Sequence, residues 1–157
     1  MLSDTHCETI MQMQWVPRKP EWNRTQPAEE YHALQQAEFL RWKRRLAKIE
    51  KRQRGSLPPF EKNLDFWRQL WHIVDISDVV VQVVDVRDPL FFHCSDLDAY
   101  VKEVSERKVN VVLMNKADLL TRQQRVSWAE YFSETDMNCL FFSAVDDEED
   151  GSREAIL

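Results

Sequence analysis

A chain of 157 residues, 43% of them hydrophobic, suits one domain or a small domain with an extension and can build a real core. Its formal net charge of -6 argues against a protein held to nucleic acid by overall charge alone. Cys7, Cys94 and Cys139 are scattered without a Cys-x-x-Cys, which argues against a disulfide framework and fits reduced thiols in the cytosol or nucleus.

Residues 1–27 read as an irregular segment. The first residues carry acids and no long apolar run, so they do not read as a secretory signal. Pro17, Pro20 and Pro27 punctuate "WVPRKPEWNRTQP" and favour extended backbone, with Trp15 and Trp22 available to pin it to a folded body. The adjacent pairs His6-Cys7 and His93-Cys94 lack the spacing of metal ligands, and no metal site is expected.

Residues 28–76 read as a helical extension. Thr25, Pro27, Glu29 and Glu30 form a helix start: a polar cap, a proline in the first turn and acids at the positive dipole end. The helix is expected to run to about Arg54, with Phe39, Trp42, Leu46 and Ile49 as its apolar stripe and Gly55 and Pro58-Pro59 as its stop. Its second half, "RWKRRLAKIEKRQR", holds eight Lys/Arg and one acid. A second helix is expected over "FEKNLDFWRQLWHIVDIS", with Phe60, Leu64, Trp67, Leu70, Trp71 and Val74 on a core-facing side.

From residue 77 to 145 the period changes. "VVVQVVDV" is a β-branched run of the kind found in strands buried on both faces. A helix near Asp96–Ser105, a strand near Val109–Met114, a helix near Arg122–Phe132 and a strand near Cys139–Phe142 follow. This β-α-β-α-β order predicts an α/β fold with three parallel strands and right-handed crossovers, whose ligands bind at the carboxyl ends of the strands. Residues 146–157 open with five consecutive acids and read as an acidic tail or linker. No apolar stretch is long enough to span a bilayer, so membrane insertion is not expected.

Three motifs fall at those strand ends. In "VNVVLMNKADLL" an apolar strand runs into Asn115-Lys116-Ala117-Asp118. Guanine presents two donors on one edge, the ring N1–H and the N2 amine, and one carboxylate such as Asp118 accepts both. Adenine would leave that carboxylate unpaired. Asn115 can brace the loop, and the aliphatic stem of Lys116 can lie along the base. Ser143-Ala144 ends the next strand, where a backbone N–H can donate to guanine O6. Asp85, Arg87, Asp88 and Pro89 crowd the end of the first strand; the residues alone favour a salt-bridged turn closed by proline. The phosphate half of a GTP site is absent from this sequence. It contains two glycines, no Gly-Lys-Ser/Thr and no Asp-x-x-Gly.

With the guanine-reading motifs first and the phosphate motifs missing upstream, the chain resembles the circularly permuted GTPases of ribosome assembly. In that family Asn-Lys-x-Asp and Ser-Ala precede the P-loop, and a strand ending in Asp-Ala-Arg-x-Pro precedes both. Here it stands as Asp85-Val86-Arg87-Asp88-Pro89, with Val for Ala. The blocks "WVPRKPEW", "FLRWKRRLAKIE" and "PPFEKNLDFWRQLWHIV" resemble the eukaryotic cytoplasmic large-subunit branch. The resemblance runs from about Trp15 to Ala144, and it implies a partial P-loop-NTPase-like G domain with an N-terminal helical extension. It further implies GTP binding and hydrolysis with Mg²⁺ once the phosphate-binding half is present, and late maturation of the large ribosomal subunit. The implied partners are that subunit with its rRNA and a nuclear-export adaptor. The implied location is the cytoplasm, with the nucleus and endoplasmic reticulum as further sites.

The resemblance assigns Asn115, Lys116, Ala117, Asp118, Ser143 and Ala144 to guanine and no catalytic residue to this chain. It also turns Arg41, Lys43, Arg44, Arg45, Lys48 and Lys51 into candidate rRNA contacts, where the residues alone favour a solvated helix face. In a GTPase sheet the P-loop strand pairs beside Val79–Val84, so that strand is expected to show an open edge and an aggregation hazard. The alternative is a non-catalytic ribosome- or protein-interaction module built on a GTPase-like half-sheet.

Overall fold

The computed structural model describes residues 15–52 and 60–145. The expected helix stop at Gly55 and Pro58-Pro59, the segment 1–14 and the acidic tail lie outside the described residues. The chain divides into two compact units, with the boundary in the chain between Ile76 and Ser77.

The first unit holds α1 (Ala28–Arg52) and α2 (Leu64–Ile76). Phe39, Trp42 and Leu46 recur at helical spacing on α1 and are buried, with Trp15, Ile49, Phe60, Leu64 and Trp67 packed around them. Trp42 is the centre of this cluster. It stacks on Phe39 and meets Phe60 and Trp67 edge-on, each with ring centroids 5.4 Å apart. Phe60 reaches the cluster from the segment before α2, because the helix starts four residues later, at Leu64.

The extended segment before α1 is fastened to the helices by polar contacts. The buried Trp71 indole Nε1 donates to Pro17 O at 2.7 Å, and Tyr31 Oη donates to Pro20 O at 3.1 Å. Lys19 pairs with Asp75. Trp15 packs on the cluster, whereas Trp22 is 56% exposed.

The second unit is a three-stranded parallel sheet of order β1-β2-β3, from β1 (Val79–Asp85), β2 (Val109–Asn115) and β3 (Asn138–Phe142). α3 (Pro89–Phe92) and α4 (Ser95–Val104) link β1 to β2, and α5 (Arg122–Glu134) links β2 to β3. The one-turn α3 was not legible as a helix. Pro89 starts it, and Asp88 caps it by accepting from Phe91 N at 3.2 Å. α5 opens with a reciprocal capping box between Thr121 and Gln124.

Register places Asp85, Asn115 and Phe142 in one row at the carboxyl end. Side chains on one face, Val84, Val112, Met114 and Cys139, pack with Phe132 of α5. The opposite face is different. Val79, Val81 and Val83 are 50%, 48% and 63% exposed, so β1 is buried on one face only. That corrects the expectation from "VVVQVVDV". Both crossovers step in the same direction along the sheet. Gln82 meets Asp98 of α4, and Val84 packs with Phe132 of α5, so both helices fall on one side, as the right-handed rule for such connections requires. Among the described residues, β1 pairs only with β2 and keeps its outer edge unpaired.

Candidate functional site

The motifs marked in the sequence converge at the carboxyl row because the parallel register ends the three strands together. β2 delivers Asn115, whose side-chain Oδ1 accepts from Lys116 N at 2.9 Å. Lys116 then takes the left-handed conformation, φ 65° and ψ 38°. For a residue with a Cβ this costs of order 1–2 kcal/mol, and the surrounding turn has to hold it. A short 3-10 turn, Ala117–Leu119, follows, with Ala117 fully buried and Asp118 exposed. The turn runs directly from the end of β2 into the capping box of α5.

β3 delivers Ser143. Its hydroxyl donates to Asp118 Oδ1 at 2.6 Å and accepts from Val145 N at 3.2 Å. That hydrogen bond restrains the Asp118 carboxylate through Oδ1 and leaves Oδ2 turned away from the Ser143 hydroxyl. A carboxylate so oriented and exposed can accept from a purine edge. Ala144 is exposed beside it.

β1 delivers Asp85, whose carboxylate gathers four donors. Arg87 N and Nε reach Oδ1 at 3.0 and 2.9 Å, and Arg87 Nη2 and Lys116 Nζ reach Oδ2 at 2.7 and 2.8 Å. The Arg87 side-chain hydrogen bonds, then that of Lys116, hold the Asp85 carboxyl well below the usual carboxylate range. The Asp85 carboxylate in turn pushes the Arg87 guanidinium up. The salt-bridged turn that the residues alone favoured is present, and it reaches across to the base-reading loop. Sequence reasoning missed the Lys116–Asp85 link. Its signal was the parallel register, which puts the acid ending β1 opposite the residue before Lys116.

The Mg²⁺ that the resemblance implies was expected only with the phosphate-binding half, not from the described residues. They include no cluster of three His, Cys, Asp or Glu able to hold a metal, and Asp85 is filled by protein donors. Among the described residues, no helix is long and apolar enough to cross a membrane.

In the first unit, Arg41, Arg44, Arg45, Lys48 and Lys51 are exposed on α1, and Lys43 is half-buried with Nζ 5.5 Å from the centroid of Phe39. Arg41 is tied to Glu38 at 2.6 Å. Trp42 and Leu46 face away into the core at 1% and 2% exposure, so the helix carries a basic side and an apolar side.

No family model matches the chain. The chain is 48% identical over 147 residues to the human large subunit GTPase 1 homolog, an alignment covering 88% of the chain and 22% of that protein. To the zebrafish protein of that name it is 51% identical over 138 residues, covering 88% of the chain and 22% of the relative. To the Drosophila melanogaster protein of that name it is 49% identical over 140 residues, covering 89% and 23%. The chain is therefore homologous to a portion of the large subunit GTPase 1 homologs, spanning about a fifth of their length.

Proposed function

We propose that this chain, a homologue of one portion of the large subunit GTPase 1 homologs, supplies the guanine-reading half of a GTPase that acts on the large ribosomal subunit. The observation carrying this reading is the Asp118 carboxylate, oriented by Ser143 at 2.6 Å and exposed at the carboxyl end of a parallel sheet. A fixed acceptor pair at that place matches the N1–H and N2 donors of guanine and penalises adenine. Xanthine offers a carbonyl where guanine has its amine, so an amide there changes the preferred base. Asp118→Asn should lower GDP affinity and raise XDP affinity, each by about tenfold or more, in a nuclear magnetic resonance titration of resonances 115–118. Unchanged base preference would sink the reading.

Tight GTP binding draws on backbone N–H groups around the phosphates. This sequence holds no P-loop motif, so the chain by itself is expected to bind GTP at millimolar strength and not to hydrolyse it. Submicromolar calorimetric binding by these residues would overturn that.

The same reading places the protein in late cytoplasmic maturation of the large subunit, with release and recycling of the nuclear-export adaptor. The exposed basic side of α1 supports a role on rRNA phosphates. Changing Arg44, Arg45, Lys48 and Lys51 to Glu should weaken co-sedimentation with large subunits about tenfold or more at low salt, and less as salt rises. Unaltered co-sedimentation would remove α1 from the contact surface.

A further inference from the structure

We propose that Asp85 is a positioning residue for the base-reading loop: held by Arg87, it fixes the Lys116 ammonium so that the lysine stem forms a floor for the base. The inference rests on the guanine reading and assigns within it a role to the strand-end motif.

Lys116 leaves the chain at the end of β2, and its Nζ lies 2.8 Å from Asp85 Oδ2 at the end of β1. The side chain therefore spans two neighbouring strands of the sheet's carboxyl row. A lysine on an exposed loop ordinarily samples many rotamers. Here both ends are fixed, the backbone by the left-handed turn and the ammonium by the ion pair. Half of the side chain remains exposed, at 50%, so a flat ring can still lie against the stem.

Asp85 is suited to hold and to nothing else. Its two oxygens have about four acceptor sites, and the four donors named above occupy them. A carboxylate so filled has no lone pair for a metal or for a substrate proton. It is also the less exposed partner, at 12% against 64% for Arg87, so the arginine shields it from water. The depressed carboxyl keeps the anchor ionised well into acid, below where an ordinary aspartate would be neutralised. Pro89 and the Asp88 cap then set where the chain leaves this turn, which keeps the Arg87 backbone N–H aimed at Asp85.

The test uses the whole chain with Asp85→Asn, Asp85→Glu and Arg87→Ala variants. Two readouts are taken: the acetylation rate of Lys116 by mass spectrometry, and GDP and ADP titration to about 10 mM by nuclear magnetic resonance. An exposed to half-exposed ion pair sets the scale, so Asp85→Asn should acetylate Lys116 about fivefold faster and weaken GDP by a similar factor. The preference for GDP over ADP should persist, because Asp118 is untouched. Arg87→Ala should shift both readouts in the same direction by less, and Asp85→Glu should restore part of each, which a folding defect would not do. Equal acetylation and equal GDP affinity in wild type and Asp85→Asn would overturn the inference and leave the guanine reading standing. Absence of any GDP shift at residues 115–118 in the wild type would instead overturn the guanine reading, and the positioning role would fall with it.

Discussion

On one face of the sheet Val84, Val112 and Met114 are at most 2% exposed beneath α5, while on the other Val81, Val83 and Val109 stand 48%, 63% and 40% exposed. Both sets are apolar, and several are chain neighbours. What separates them is where the crossovers land: Asp98 of α4 touches Gln82, and Phe132 of α5 packs with Val84 and Met114, all on one side. An apolar run fixes that a strand can be buried. The handedness and direction of its connections fix which half of it is.

The largest expected effect breaks this symmetry directly. Phe132→Ala empties the middle of the covered side and should cost about 3–5 kcal/mol in urea unfolding. Val83→Ala on the open face should cost within about 0.5 kcal/mol, as surface changes do. Comparable losses at the two positions would mean that the open face is buried in solution.

Gln82 sharpens the comparison, because it is polar and lies on the covered side. Its Oε1 accepts from Cys94 N at 3.0 Å, and its Nε2 donates to Cys94 O at 3.1 Å and Asp98 Oδ1 at 2.8 Å. Asp98 Oδ2 lies 2.6 Å from His93 Nε2, so one strand side chain ties down the loop between α3 and α4. Gln82→Leu would add apolar burial yet leave the Cys94 N–H unpaired. We expect a net loss of about 1–3 kcal/mol by chemical denaturation. A neutral or stabilising result would show that the covered face tolerates any filler of that size.

The strands and long helices were legible because their periods are strong and their caps are local. Val109–Met114 reads as a strand without help, and the Thr121–Gln124 capping box, seen in the structure, is a local signal of the same kind. The one-turn α3 escaped because "DPLFF" carries no period. The exposure of Val81 and Val83 escaped because it is set by chain direction far from those residues. At the site, Asn115, Lys116 and Asp118 were marked by residue type and spacing, and Ser143 by its place one strand later. The Asp85–Lys116 pair joins residues 31 positions apart and needs the register of two strands to be seen.

The smallest expected effect uses the thiol on the covered side. Cys139 is 9% exposed, and burial pushes its thiol up from the ordinary value; burial does the same to Cys94. The unfolded chain therefore loses these protons first as pH rises past about 8.5. Above that point the unfolded state binds fewer protons than the folded state, so stability falls with rising pH until the folded thiols ionise as well. Cys139→Ala should make that alkaline decline shallower without removing it, because Cys94 still contributes. Alkylation in a Cys7→Ser background gives the matching kinetic measurement. A thiol placed by Val81→Cys on the open face should react at pH 8 close to the rate of a free thiol, whereas Cys139 should react only as the sheet opens. If the two react alike, water and reagent reach both sides of the sheet equally, and the distinction between its faces fails.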